Sequence, residues 1–117
     1  MFICFYWSSF LIYGLTPLLW AAYTGSLPIV QFLKQKGANI YATEDGPQKY
    51  TALHLATRRN NYSIVKYLLV EGMDPNISCN GGLAPIHFAA KDGSVESLAV
   101  LVKFNANVNV VNDCVPF

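Results

Sequence analysis

The sequence predicts an all-α solenoid, built from helix-turn-helix units stacked in one direction and joined by β-turn fingers. Three observations carry this prediction. A seven-residue core recurs as Thr16-Pro17-Leu18-Leu19-Trp20-Ala21-Ala22, Thr51-Ala52-Leu53-His54-Leu55-Ala56-Thr57 and Ala84-Pro85-Ile86-His87-Phe88-Ala89-Ala90, with starts 35 and then 33 residues apart. The match continues downstream, where Ile29-Val30 pairs with Ile64-Val65, and Leu33 with Leu68 and Leu101. Finally, Gly37-Ala38-Asn39 matches Gly72-Met73-Asp74 and Asn105-Ala106-Asn107, so one unit is written three times. A helix pair cannot bury its apolar face alone, and stacked neighbours create one continuous core.

Each element follows from local chemistry. A hydroxyl before a proline, as in Thr16-Pro17, starts a helix, because the hydroxyl caps free N–H groups and proline has none to lose. Leu18, Ala21 and Ala22 recur at helical spacing. The small alanines let a neighbour approach closely, which makes this first helix the thin inner one. Gly25, Asn60 and Gly93 follow at equivalent places, and Gly and Asn tolerate a left-handed C-terminal cap. The second helix carries Pro28 in its first turn and Ile29, Val30, Phe32 and Leu33 as its expected apolar stripe. Gly37 and Gly72 end it. The stretch from Asn39 to Tyr50, with Asp45-Gly46-Pro47 inside it, is rich in turn formers and two residues longer than its counterpart from Asp74 to Leu83. It is expected to form an extended, exposed finger.

The pattern resembles the ankyrin repeat, a unit of 33 residues recognised by a Thr-Pro-Leu-His-x-Ala core. The resemblance covers most of the chain, and three copies at this period with the matching Gly-Ala-Asn end are a specific signal. Every copy departs somewhere: Leu19 replaces the His of the first core, Ala52 the Pro of the second, Ala84 the Thr of the third, and Asn105 its terminal Gly. The units are read as residues 14–45, 46–79 and 80–112. A fourth core would begin at residue 117, so residues 113–117 are read as the start of a truncated or capping unit, with further repeats expected beyond Phe117.

Composition narrows the function. Apolar residues make up 53% of the 117 and charged residues only 13%, which excludes disorder as the main state. The net charge of +1 supplies no field to gather a polyanion, so no nucleic-acid partner is expected. The three cysteines, an odd number, are widely spaced, which fits a reducing compartment and a cytoplasmic location. No charged residue precedes Lys34. Residues 1–22 approach the length that crosses a bilayer, about 20 residues. However, they lack a basic flank, and Gly14, Thr16 and Pro17 interrupt them. Residues 1–13 therefore stand as an apolar flap over the first unit, a membrane anchor, or an artefact.

No residue set in the sequence predicts chemistry. His54 and His87 occupy the same place in adjacent units, about one helix-packing distance apart, too far to share a metal. His87, Asp92 and Ser94 straddle a helix end without a nucleophile turn. Gly81-Gly82 is a turn rather than a phosphate cradle. Cys79 and Cys114 lack a ligand-spaced partner. No catalytic, metal or cofactor site is predicted, and the chain is not expected to be an enzyme.

The resemblance implies a non-catalytic scaffold that grips a protein partner with its finger tips and the exposed ends of its inner helices. Carried over by position, these are Leu15, Tyr23 and Thr24 in the first unit, Tyr50, Arg58 and Arg59 in the second, and Asn80, Leu83, Lys91 and Asp92 in the third. The long finger adds Thr43, Glu44, Asp45, Gln48 and Lys49. Arg58 and Arg59 leave the inner helix just before Asn60 turns the chain, so at least one is expected beside Tyr23 of the preceding unit and Lys91 of the next. The alternative reading is a repeat protein of the same architecture tethered to a membrane by residues 1–22.

Overall fold

The structure, a computed structural model, describes residues 14–111. The readings of residues 1–13 and 113–117 lie outside the described residues. Among the described residues six helices follow in pairs: α1 (Pro17–Thr24) and α2 (Leu27–Gln35), α3 (Ala52–Arg58) and α4 (Tyr62–Val70), α5 (Pro85–Asp92) and α6 (Val95–Lys103). Inner helices stack on inner helices, α1 on α3 and α3 on α5, and outer α4 stacks on α6. Among the described residues the only sheet-like pairing is an isolated bridge between Thr43 and Thr51 at the base of the long finger.

The caps form as their residue types dictate. Thr16 Oγ1 accepts from the Leu19 N–H at 3.2 Å, and Thr51 Oγ1 from the His54 N–H at 3.4 Å. Ala84 offers no hydroxyl, so that helix start keeps only the return bond, from the Ala84 N–H to His87 Nδ1 at 2.9 Å. At the inner-helix ends Gly25, Asn60 and Gly93 take φ of 97°, 54° and 70°, the left-handed region in which only Gly and Asn are at ease. Asn105, at φ 71°, does the same work in place of the terminal Gly of the third unit.

The core lies between the two helix layers. Leu18, Leu53, Leu55, Val30, Val65, Leu68 and Leu101 are all at most 2% exposed. The apolar stripe expected on α2 is corrected in part: Val30 is buried and Leu33 half-buried, but Ile29 and Phe32 are 51% and 56% exposed. The reason is packing, since α2 meets α4 much less closely than α4 meets α6. Two depressions of about 360 and 450 Å³ open between α2 and α4, the first beside Leu27 and Val70, the second beside Phe32, with Tyr67 lining both. An ion pair, Lys34 to Glu71 at 3.0 Å, spans the gap.

Polar struts join successive units. Asn61 Nδ2 donates to the Ala22 and Tyr23 carbonyls at 2.8 and 3.1 Å, satisfying orphan groups at the end of α1. Asn60 Oδ1 accepts from the Ser97 N–H and hydroxyl at 3.2 and 2.8 Å, while its Nδ2 donates to Glu96 at 3.0 Å. That last bond favours the ionised carboxylate and holds the Glu96 pKa below its usual range. The fingers are tied likewise, by Asn80 N–H to Gln48 O at 2.8 Å and Asn80 Nδ2 to Pro47 O at 2.7 Å.

Candidate functional site

The face formed by the fingers and the C-terminal ends of the inner helices centres on Arg58 and Arg59. Arg58 is the last residue of α3, and the chain turns at Asn60 immediately after, so the two adjacent guanidinium groups diverge. Arg58 reaches forward and sits 5.2 Å from the centroid of the Phe88 ring in the next unit. Arg59 reaches back and lies 4.8 Å from the centroid of Tyr23 in the preceding one. Each distance is within cation–π range. Of the expected neighbours, Tyr23 lies under Arg59, while on the side of the next unit the ring that meets Arg58 is Phe88.

Beneath Arg58 is an aromatic cluster. Tyr50 meets Phe88 edge to face at 5.6 Å, and His54 meets Phe88 in the same way at 5.7 Å. Tyr50 and His54 are tilted at 6.0 Å. Partial burial raises the Tyr50 pKa, and the adjacent Arg58, which bonds the phenol, opposes that rise. Phe88 was not among the expected site residues. It occupies the fifth place of the third core, where Trp20 and Leu55 stand in the others, and a large ring one unit beyond a helix-end arginine was the available signal.

Two expected contact residues are corrected. Tyr23 is 4% exposed, because Arg59 and the Asn61 strut cover the end of α1. The surface here is therefore formed by the guanidinium above the ring rather than by the ring itself. Glu44 is 1% exposed. Its carboxylate accepts from the backbone N–H groups of Gly46, Lys49 and Tyr50 at 3.0, 3.0 and 3.4 Å, so the long finger closes around Glu44 instead of presenting it. Lys49 sits at φ 57° in this closure.

The other predicted residues divide by exposure. Thr24, Asp45, Lys49, Lys91 and Asp92 are exposed, while Leu15, Thr43, Gln48, Tyr50, Arg58 and Leu83 are half-buried. The Thr24 hydroxyl is turned back onto the Trp20 carbonyl at 2.9 Å. Asn80 is exposed, but its amide is occupied with Pro47. Cys79 is a buried thiol whose Sγ lies 3.7 Å from Gln48 Oε1.

The histidines act as structural clips. The Thr51 N–H donates to His54 Nδ1 at 3.2 Å, which leaves the proton on Nε2 to donate to Leu83 O at 2.8 Å in the next finger. Burial lowers the His54 pKa to about 4, against the opposing effect of bonds to the Leu83 and Ile77 backbone. His87 repeats the first contact through Nδ1, whereas its Nε2 is buried without a hydrogen-bond partner among the described residues. Among the described residues no three His, Cys, Asp or Glu side chains are grouped to hold a metal ion, and no helix is long and apolar enough to cross a membrane.

A stack of three helix pairs, with capped inner helices and polar ties between fingers, defines a helical repeat protein. Family models described as "Ankyrin repeats (3 copies)" and "Ankyrin repeat" match residues 40–112 and 13–45 respectively, and the chain belongs to the ankyrin repeat family. It is 45% identical over 69 residues to Ankyrin repeat and SAM domain-containing protein 6 of Rattus norvegicus, covering 59% of this chain and 8% of that protein. It is 35% identical over 99 residues to Ankyrin repeat, SAM and basic leucine zipper domain-containing protein 1 of Dasypus novemcinctus, covering 80% of this chain and 20% of that one. Against the ankyrin repeat protein FPV031 of Fowlpox virus (strain NVSL) it is 35% identical over 98 residues, 83% of this chain and 28% of the relative. The chain thus spans less than a third of the length of each. Ankyrin repeats generally mediate protein–protein interaction and are typically non-catalytic.

Proposed function

We propose that this chain is a non-catalytic scaffold that binds a partner protein across the faces of the fingers and inner-helix ends, with Arg59, Arg58 and Lys91 as the anchors. The observation that carries this reading is the pair of arginine–aromatic stacks on either side of one helix end. Stacking holds each guanidinium in place before a partner arrives, which lowers the entropy cost of using it. The N–H edges of a stacked guanidinium can still donate to a carboxylate. An extended partner segment bearing acidic and aromatic side chains suits such a strip, and the near-zero net charge of the chain leaves selection to these local groups. We place the interaction in a reducing compartment, the cytoplasm.

The test starts with affinity capture by the intact chain carrying a photo-crosslinking residue at Asp92, compared with one at Ser63 on the outer helix. The captured protein is then titrated calorimetrically against two double variants. Arg59→Glu with Lys91→Glu changes only exposed side chains of the strip and is expected to weaken binding about tenfold or more, roughly 1.4 kcal/mol. Lys66→Glu with Lys103→Glu, on the outer helices, is expected to change affinity little. Lys34 is unsuitable as a control because its charge is paired with Glu71. Equal losses from both double variants, or crosslinking from Ser63 instead of Asp92, would show that this face is not the binding face.

A further inference from the structure

The outer layer of the stack carries a groove between α2 and α4, two helices that lie wholly within the described residues. Its two depressions, of about 360 and 450 Å³, are separated by Tyr67, which lines both. Val70 and Leu27 wall the first, and Phe32 walls the second. Val70 is 62% exposed and Phe32 56%, so large apolar side chains are gathered around a concavity and left in water. Scattered apolar residues on a surface need no account, but a group that shares one recess does.

Charge sets this groove apart from a loosely packed seam. α2, α4 and their C-terminal caps carry Lys34, Lys36, Lys66 and Glu71 and no other charge. Glu71 is taken up by Lys34 at 3.0 Å, which leaves the balance along the groove basic. Lys66 borders the first depression. Lys36 stands by the second, its Nζ 5.5 Å from the centroid of the Phe32 ring.

We propose that this groove is the docking site for an acidic amphipathic helix of a partner protein. A helix laid along two others presents apolar anchors at i, i+3 or i+4, and i+7, a spacing that suits two depressions divided by one ring. An added strand needs an open sheet edge, and the walls here are helices whose backbone groups are already paired. Acidic residues flanking the anchors meet Lys36 and Lys66, so apolar burial supplies the affinity and charge selects the partner. A second copy of this chain facing the groove would set the same lysines against each other. A bilayer takes up apolar groups that project from a surface, whereas these depressions are recessed. The inference does not depend on the proposed finger face, which belongs to the other side of the helix pairs.

The probe is a displayed library of helical peptides of about 18 residues, five turns, with every surface position randomised. It is selected on the intact chain and counter-selected on a Phe32→Ala, Val70→Ala chain, whose two changes are at exposed positions. Surviving peptides are expected to carry large apolar residues at the anchor spacing and Asp or Glu beside them. The best of them is expected to bind the Lys36→Gln, Lys66→Gln chain at least about tenfold more weakly, and the Arg59→Glu, Lys91→Glu chain as tightly as the unaltered one. Native-state hydrogen exchange gives a reading that needs no variant: the bound peptide is expected to slow the amides of α2 about tenfold or more and to leave those of α5 unchanged. The proposal is overturned if no peptide survives counter-selection, if the survivors have neutral or basic flanks, or if Arg59→Glu with Lys91→Glu weakens them equally. It is also overturned if Phe32→Ala with Val70→Ala abolishes self-association in the ultracentrifuge, which assigns the groove to a second copy, or abolishes sedimentation with phosphatidylcholine–phosphatidylserine vesicles, which assigns it to a lipid surface.

Discussion

His54 is held neutral by its surroundings, and this couples the stability of the fold to pH. Its ring is fully buried, accepts from Thr51 at one nitrogen and donates to Leu83 O from the other. Protonation would leave two donors where one bond needs an acceptor, in a site that has lost its water. The folded pKa is about 4, below the ordinary 6.5. The unfolded chain therefore takes up the proton first, so stability is fully present above pH 6.5 and is lost as pH falls from there toward 4. At about 1.4 kcal/mol per unit the loss approaches roughly 3 kcal/mol. Urea unfolding between pH 7.5 and 4.5 is expected to show this decline, and His54→Gln, less stable throughout, is expected to remove the His54 share of the slope. Glu44 makes the complementary point: a charged residue in a turn-rich stretch reads as exposed, but its carboxylate is surrounded by backbone N–H groups that the finger itself supplies. That closure was not legible from residue type, because it depends on the path of the loop from Glu44 to Tyr50.

At the scale of elements, the repeat register carried most of the information. Helix starts at Thr16 and Thr51, and the left-handed ends at Gly25, Asn60 and Gly93, were legible because each depends on one residue and its immediate neighbours. The burial of α2 was not, because periodicity names an apolar face without naming how tightly a neighbour covers it. Ile29 and Ile64 are aligned in the repeat, yet one is 51% exposed and the other 1%. The helix-end positions of Arg58 and Arg59 were legible in the repeat register, whereas their ring partners needed the stagger between units. Leu68 in α4 is 0% exposed, so Leu68→Ala is expected to cost about 2 to 5 kcal/mol. Phe32→Ala in α2 removes a larger side chain at 56% exposure and is expected to cost less than about 1 kcal/mol. Denaturant melts of the two variants decide the assignment, and a comparable cost for both would mean that α2 is packed as tightly as α4.

At the scale of the whole described domain, cohesion between the stacked pairs is uneven. The central pair is covered on both sides and tied by side chains to each neighbour, through Asn61 to α1, Asn60 to α6 and His54 to Leu83 in the finger that leads into α5. The third pair keeps good contact with it through both layers, α3 on α5 and α4 on α6. The first pair is attached well only through its inner helix. Its outer helix meets α4 across two open depressions and one half-exposed ion pair, which adds little in water. In a quasi-one-dimensional array each unit contributes its own stability and that of its interfaces, so opening is expected to begin at α2. Native-state hydrogen exchange of the intact chain is expected to show slowest exchange in α3 and α4. Amides of α2 should exchange at least about tenfold faster, a difference of roughly 1.4 kcal/mol in opening free energy. If α2 and α4 exchange at one common rate across denaturant concentrations, the three units open together and the loose α2–α4 interface does not set the order.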